Sequence, residues 1–129
     1  MKLKTSELTG AALDWAVAKC EGKIDDCNGW LYQATLEEVE EGSYKPSTDW
    51  SQGGEIIKRE YINIEYPREG YWVASKWLGK PMDFAFGRGE TPLIGAMRCY
   101  VASKLGDEIE IPEELTNQGE RHGYHGEEN

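Results

Sequence analysis

Apolar residues near the start of the chain recur with a helical period. Leu13, Ala16, Val17 and Cys20 stand at i, i+3, i+4 and i+7, one stripe of an α-helix. Thr9 offers an N-cap ahead of the stripe and Gly22 a stop behind it, so the spacing predicts a helix over about 9–21. The pattern then changes. Beyond a polar turn from Ile24 to Asn28, Trp30, Tyr32, Ala34 and Leu36 fall at every second position, as in a strand. Gly42 to Gly54 is rich in Ser, Tyr, Pro, Thr, Asp, Trp, Gln and Gly, the mixture of a long ordered loop. Three further strands are predicted within Glu55–Tyr66, Tyr71–Trp77 and Met82–Phe86, separated by turn chemistry at 67–70 and 78–81.

The late helix has the clearest boundaries. Thr91 caps it, Pro92 takes its first position, and Leu93, Ala96, Met97, Tyr100 and Val101 form its stripe. Lys104 and Gly106 close it, giving a helix over 92–105. Glu108 to Ile111 alternates as a short edge strand ended by Pro112. Together these elements predict an α+β fold: a single domain over 1–115, a mostly antiparallel sheet packed with two helices, and a flexible polar tail over 116–129. Trp72 and Trp77, separated by an odd offset, should lie on opposite faces of their strand, so that one is exposed or lines a pocket.

Composition narrows the function. The chain has 129 residues, with 14 basic against 24 acidic side chains and a formal net charge of −10, which disfavours direct binding to nucleic acid or to an anionic membrane. That charge is unevenly spread. Residues 1–57 and 99–129 are strongly acidic, whereas Lys58, Arg59, Arg68, Lys76, Lys80, Arg88 and Arg98 make the middle of the chain net positive. A small anionic ligand is compatible with that middle segment, although outward-facing surface charges would read the same way. The acidic run Glu37, Glu38, Glu40 and Glu41 reads as a solvated face rather than a cation site, because oxygen-ligand spacing is absent.

Cys20, Cys27 and Cys99 are odd in number and lack CxxC spacing, which fits reduced thiols, with Cys20 and Cys99 buried as small apolar residues. His122 and His125 lie in the tail, so neither a zinc site nor a Cys-His dyad is expected, and no cofactor is implied. GxSxG, HExxH, kinase and deaminase patterns are absent, and catalysis has little support. The start lacks an apolar run of signal-peptide length, and no window approaches the ~20 apolar residues of a membrane span.

Two segments suit ligand chemistry. In the loop, Tyr44 and Trp50 could stack on a planar ring, Thr48, Asp49 and Gln52 could hydrogen-bond to it, and Gly53-Gly54 would let backbone amides approach it. A turn with Trp50 plugging the core explains the same residues. The second segment, Gly87-Arg88-Gly89-Glu90-Thr91-Pro92, reads as a flexible loop delivering Arg88 to a helix N-terminus, with Arg98 further along that helix.

Three blocks also resemble a known family. Thr5-Ser6-Glu7-Leu8-Thr9-Gly10-Ala11-Ala12-Leu13-Asp14-Trp15-Ala16-Val17-Ala18, then Ser47-Thr48-Asp49-Trp50-Ser51-Gln52-Gly53-Gly54, then Thr91-Pro92-Leu93-Ile94 with Ala96-Met97-Arg98-Cys99-Tyr100-Val101-Ala102, resemble the NinX-like proteins of tailed bacteriophages and prophages, a family without an assigned activity. The resemblance implies a phage accessory protein in the host bacterial cytoplasm. Two functions follow as expectations. One is non-catalytic binding of a small nucleotide-like molecule, such as a host defence signal, through Tyr44, Thr48, Asp49, Trp50, Gln52, Gly53, Gly54, Arg88 and Arg98. The alternative is an acidic module that inhibits a host nucleic-acid-binding protein. A homo-oligomer, with a pocket at a two-fold interface, is compatible with either.

Overall fold

Two helices buried almost all round organise the molecule, which the computed structural model describes over residues 1–25, 27–66 and 70–116. Among these the chain runs β1 (Lys2–Lys4), a 3-10 turn (Thr5–Glu7), α1 (Gly10–Cys20), α2 (Gly29–Glu41), α3 (Trp50–Glu60), β2 (Asn63–Glu65), β3 (Trp72–Trp77), β4 (Phe84–Gly89), α4 (Pro92–Leu105) and β5 (Glu108–Glu110). Every residue of α1 from Ala12 to Ala18 is buried, Asp14 included, and α4 buries Leu93, Gly95, Ala96, Met97, Cys99, Tyr100 and Val101. A helix apolar around its circumference must be covered on several sides. Accordingly α4 packs on β3 and β4 with one face and on α1 and α3 with others, and α2 covers α1.

The fold is α+β with two antiparallel sheets, one ordered β2-β3-β4 and the other a β1-β5 ribbon. In the larger sheet Trp77 pairs with Phe84, Ser75 with Phe86 and Asn63, and Val73 with Arg88 and Glu65. Ala74, Ala85, Gly87 and Gly89 are buried on the face turned to α4. The glycines are there for closeness. A Cβ at Gly87 would stand 2.3 Å from the Gly95 carbonyl oxygen, and one at Gly89 would stand 2.6 Å from Ile94 Cγ2, so helix and strand meet backbone to backbone.

Helices 10–20 and 92–105 form where the spacing predicts them, and Thr91 Oγ1 accepts from the Ile94 N–H at 3.1 Å as an N-cap should. Thr9 also occupies the cap position of α1, but its side chain makes no capping bond. Four expectations need correction. Residues 30–36 are helical, not extended: Asn28 Oδ1 caps α2 by accepting from the Leu31 N–H, Gly42 at φ 87° ends it, and Thr35, Leu36 and Val39 form its buried stripe. The predicted loop of 42–54 is irregular only to Asp49, and the predicted strand of 55–66 is α3 followed by the three residues of β2. Gly87-Arg88-Gly89 is the end of β4 rather than a flexible loop. The turn expected at 67–70 falls at 67–69 outside the described residues, as do 117–129 of the expected tail with both histidines.

Candidate functional site

The stretch from Ser43 to Gly54 spends most of its polar groups on itself. Asp49 caps α3, its Oδ1 accepting from Ser51 N at 2.9 Å and Ser51 Oγ at 2.8 Å. The Ser51 hydroxyl and amide, with help from Gln52, hold the Asp49 carboxyl below its ordinary range. Gln52 ties the loop together: Oε1 accepts from Lys45 N at 2.9 Å, and Nε2 donates to Ser43 O at 3.0 Å and Asp49 Oδ2 at 3.2 Å. Gly53 is buried against the Pro46 carbonyl and Leu93, whereas Gly54 faces only the Trp50 ring at 3.6 Å. Tyr44 is half-buried with Lys23 Nζ 5.0 Å from its ring centre, and burial raises its phenol. Of the ligand candidates in this stretch, Thr48 and Trp50 are the exposed ones.

This stretch is anchored by a residue that sequence reading passed over. Asp14 lies buried in α1 and accepts from the Ser47 N–H at 2.9 Å through Oδ1. Burial pushes its carboxyl up to about 6 against the pull of that hydrogen bond. Ser47 Oγ, beside it, has no well-formed hydrogen bond.

Arg88 and Arg98 belong to another region. Arg98 projects from α4 with Nε donating to Leu8 O at 2.8 Å and Nη1 to Arg88 O at 2.6 Å. It is half-buried and has no ion-pair partner among the described residues. Burial lowers its proton affinity, with Glu90 partly compensating, and the guanidinium stays charged. Nη2 receives no acceptor from the described residues, and the head group lines a groove of about 650 Å³. Lys4, Thr5 and Ser6 line the groove beside Asp107 and Glu108, with Lys4 and Glu108 cross-strand partners in the β1-β5 ribbon, and Phe86 and Ala102 complete the lining. Thr5 fixes this side by donating from Oγ1 to Gly106 O at 2.7 Å and from N to Asp107 O at 2.8 Å. No residue from 44–54 lines it. Arg88 reaches it only through its carbonyl, since its own guanidinium lies 5.1 Å over the Tyr71 ring.

A second polar cluster was also missed by sequence reading, because its members come from distant segments. Arg59 at the end of α3 grips Glu21 with Nη1 at 3.1 Å and Nη2 at 2.5 Å, and donates from Nε to Glu60 at 2.9 Å. Tyr100 OH donates to Glu21 Oε2 at 2.5 Å, and Lys76 Nζ donates to the Glu60 carbonyl at 3.1 Å. Burial works to raise the Glu21 carboxyl, but its bonds to Arg59 and Tyr100 outweigh it and hold the group below its ordinary range. With its charges paired internally, the cluster braces α1, α3, β3 and α4. Cys20 and Cys99 are inert by the same kind of burial, each thiol pushed up to about 12.

Among the described residues no three His, Cys, Asp or Glu side chains gather to hold a metal ion, and no helix is long and apolar enough to cross a membrane. Fold and site therefore define a small α+β protein with a groove that sets an arginine, held by backbone carbonyls, beside an aromatic ring. Residues 4–104 match the family described as Bacteriophage P22, NinX, and the chain belongs to that family of bacteriophage proteins. No curated protein matches it.

Proposed function

We propose that this phage accessory protein binds a small anionic, nucleotide-like ligand without transforming it, and that the ligand sits in the groove beside Arg98. The observation that carries the reading is the half-buried Arg98 guanidinium: two backbone carbonyls orient it, no carboxylate among the described residues pairs with it, and one amino group is left for an anion. Lys4 adds a second positive charge at the rim, Ser6 a hydroxyl, and Phe86 an apolar surface for a planar ring. Asp107 and Glu108, beside Thr5 and Lys4 on the same ribbon, would accept from sugar hydroxyls or a base amine, and repel an extended polyphosphate. The volume of about 650 Å³ lies within the range of small-molecule sites. Binding without turnover would serve the phage by sequestering the molecule, a host defence signal being the kind of ligand such a protein would withdraw.

In this reading the 43–54 stretch is support rather than contact surface, apart from exposed Thr48 and Trp50. A panel of mononucleotides, cyclic nucleotides and cyclic dinucleotides in a thermal-shift assay tests it. At a ligand concentration of about 100 times Kd the stabilisation is about 2.7 kcal/mol. R98K, which keeps the charge but loses the fork, should remove most of that shift. No response to any member at large excess would refute the proposal.

A second reading is favoured by α2. Glu37, Glu40 and Glu41 are exposed on that helix, beside a Glu38 paired with Lys23 at 3.3 Å, and so form an acidic surface suited to a basic host protein. Charge reversal at these positions separates the two readings: it should abolish capture of a host protein under the second and leave nucleotide binding intact under the first.

A further inference from the structure

The three-stranded sheet turns one face to α4, and among the described residues nothing covers the other, which carries three exposed aromatic rings. Trp77, Phe84 and Phe86 are 58%, 41% and 61% exposed there, and Phe84 and Phe86 have ring centres 6.2 Å apart. The two phenylalanines border a shallow depression of about 260 Å³ lined also by Glu65, Val73 and Ser75. Trp77 is held ready by its Nε1 donating to Lys80 O at 2.8 Å. The backbone register explains the arrangement. Leu78 N donates to Asp83 O at 2.9 Å, which makes that pair hydrogen-bonded and Trp77↔Phe84, Ser75↔Phe86 and Val73↔Arg88 the closer, non-hydrogen-bonded kind. Their side chains stand together on the open face.

We infer that this face is the interface of a homodimer, with a second copy packed on it sheet to sheet. Two observations select a copy of the chain over other occupants. The first is charge complementarity. Glu65, Val73 and Arg88 form one cross-strand row, with the acid on one edge strand and the base on the other, about 10 Å apart and too distant to pair within one chain. Neither has an ion-pair partner among the described residues. A two-fold axis parallel to β3, between two such faces about 10 Å apart, sets Arg88 of each copy opposite Glu65 of the other and brings the two Trp77 residues together on the axis at one end of the interface.

The second observation is area. Three strands of this length, with three protruding rings, offer on the order of 600 Å² per copy, which reaches the lower bound for a specific dimer. Single-stranded nucleic acid would also stack on such rings, but Arg88 is balanced by Glu65 on this face and the chain carries −10 overall. The interface is independent of the proposed ligand reading, although Phe86 borders both surfaces.

Sedimentation velocity on the full chain tests the inference. The wild type should sediment as a concentration-dependent dimer in the micromolar range. R88E and E65R, each of which sets like charges against each other twice across the two-fold, should each weaken the dimer at least about tenfold. The double variant E65R/R88E should restore it, while W77E should be a monomer with an unchanged far-UV circular dichroism spectrum. A wild type that stays monomeric to about 100 μM overturns the proposal, whether or not it is retained by a single-stranded oligonucleotide. Single variants that dimerise as tightly as the wild type, or a double variant that fails to restore the dimer, overturn it as well.

Discussion

Gly53 and Gly54 are neighbours in one helix, and their replacement by alanine should move stability in opposite directions. Neither has a positive φ, so alanine is sterically acceptable to the backbone at both. At Gly54 the new Cβ meets only Trp50 Cε3 at 3.6 Å, an ordinary contact. G54A should therefore gain the helix-propensity difference of about 1 kcal/mol. At Gly53 the Cβ would stand 2.3 Å from the Pro46 carbonyl oxygen and 2.6 Å from Leu93 Cδ2. Leu93 could turn aside, but the Pro46 carbonyl cannot, because Ser47 N is bonded to Asp14 and Lys45 N to Gln52. Separating α3 from that loop should cost about 3–4 kcal/mol, leaving a net loss of about 2–3 kcal/mol after the same propensity gain. For a chain of this length about 4 °C of Tm corresponds to 1 kcal/mol. Differential scanning calorimetry should then find G54A raised by about 4 °C and G53A lowered by about 8–12 °C. Shifts of the same sign, or an unchanged G53A, would refute the packing role assigned to Gly53.

Asp14 gives a pH signature: its raised carboxyl favours the folded state most below the unfolded carboxylate range, and that contribution is lost as pH rises through about 6. D14N, which can still accept from Ser47, should match the wild type near pH 3 and exceed it at pH 8 by about 2–3 kcal/mol in urea unfolding; equal pH profiles would contradict the assignment. Glu21 acts in the opposite sense, since its lowered carboxyl stabilises the fold at neutral pH and loses that effect as pH falls below the ordinary carboxylate range. Y100F removes one of its donors and should cost about 1–2 kcal/mol at pH 7, with a smaller loss in acid; a loss independent of pH would mean that the hydroxyl serves another partner. G87A should be among the most damaging single substitutions, because its Cβ would meet α4 backbone at Gly95 O and at Cys99 N, 2.4 Å away. Poor expression or a Tm lower by more than about 10 °C is expected.

The parts of the fold legible in the sequence are those whose period and end signals agree. Helix α4 combines a spaced apolar stripe with Thr91, Pro92 and Gly106, and β3 is rich in aromatic and β-branched residues. Helix α2 misleads because Trp30, Tyr32, Ala34 and Leu36 alternate by chance; Trp30 is exposed, and the true stripe is Thr35, Leu36 and Val39. Asn28 and Gly42, a cap and a stop at the right separation, were the available signal. Helix α3 hides its stripe more thoroughly, since Gly53 begins it and Ile56 continues it, and a glycine carries no hydropathy signal. The same glycine pair, together with Asp49 and Gln52, resembles ligand chemistry in one dimension and a helix entry in three. Of the residues lining the candidate groove, Arg98 was named from the sequence, whereas the other positive residues of the middle segment lie elsewhere. Phe86, Lys4 and Ser6 were not named, because the groove exists only where β4, the 3-10 turn and β5 converge on α4.

Isothermal titration of the purified chain with the nucleotide that most raises its Tm tests the ligand reading most directly. Saturable binding at one site per chain is expected, lost in R98K and retained in the T48A and W50A variants of the other candidate region. Binding that survives R98K but disappears in T48A or W50A would contradict the assignment of the ligand to the groove.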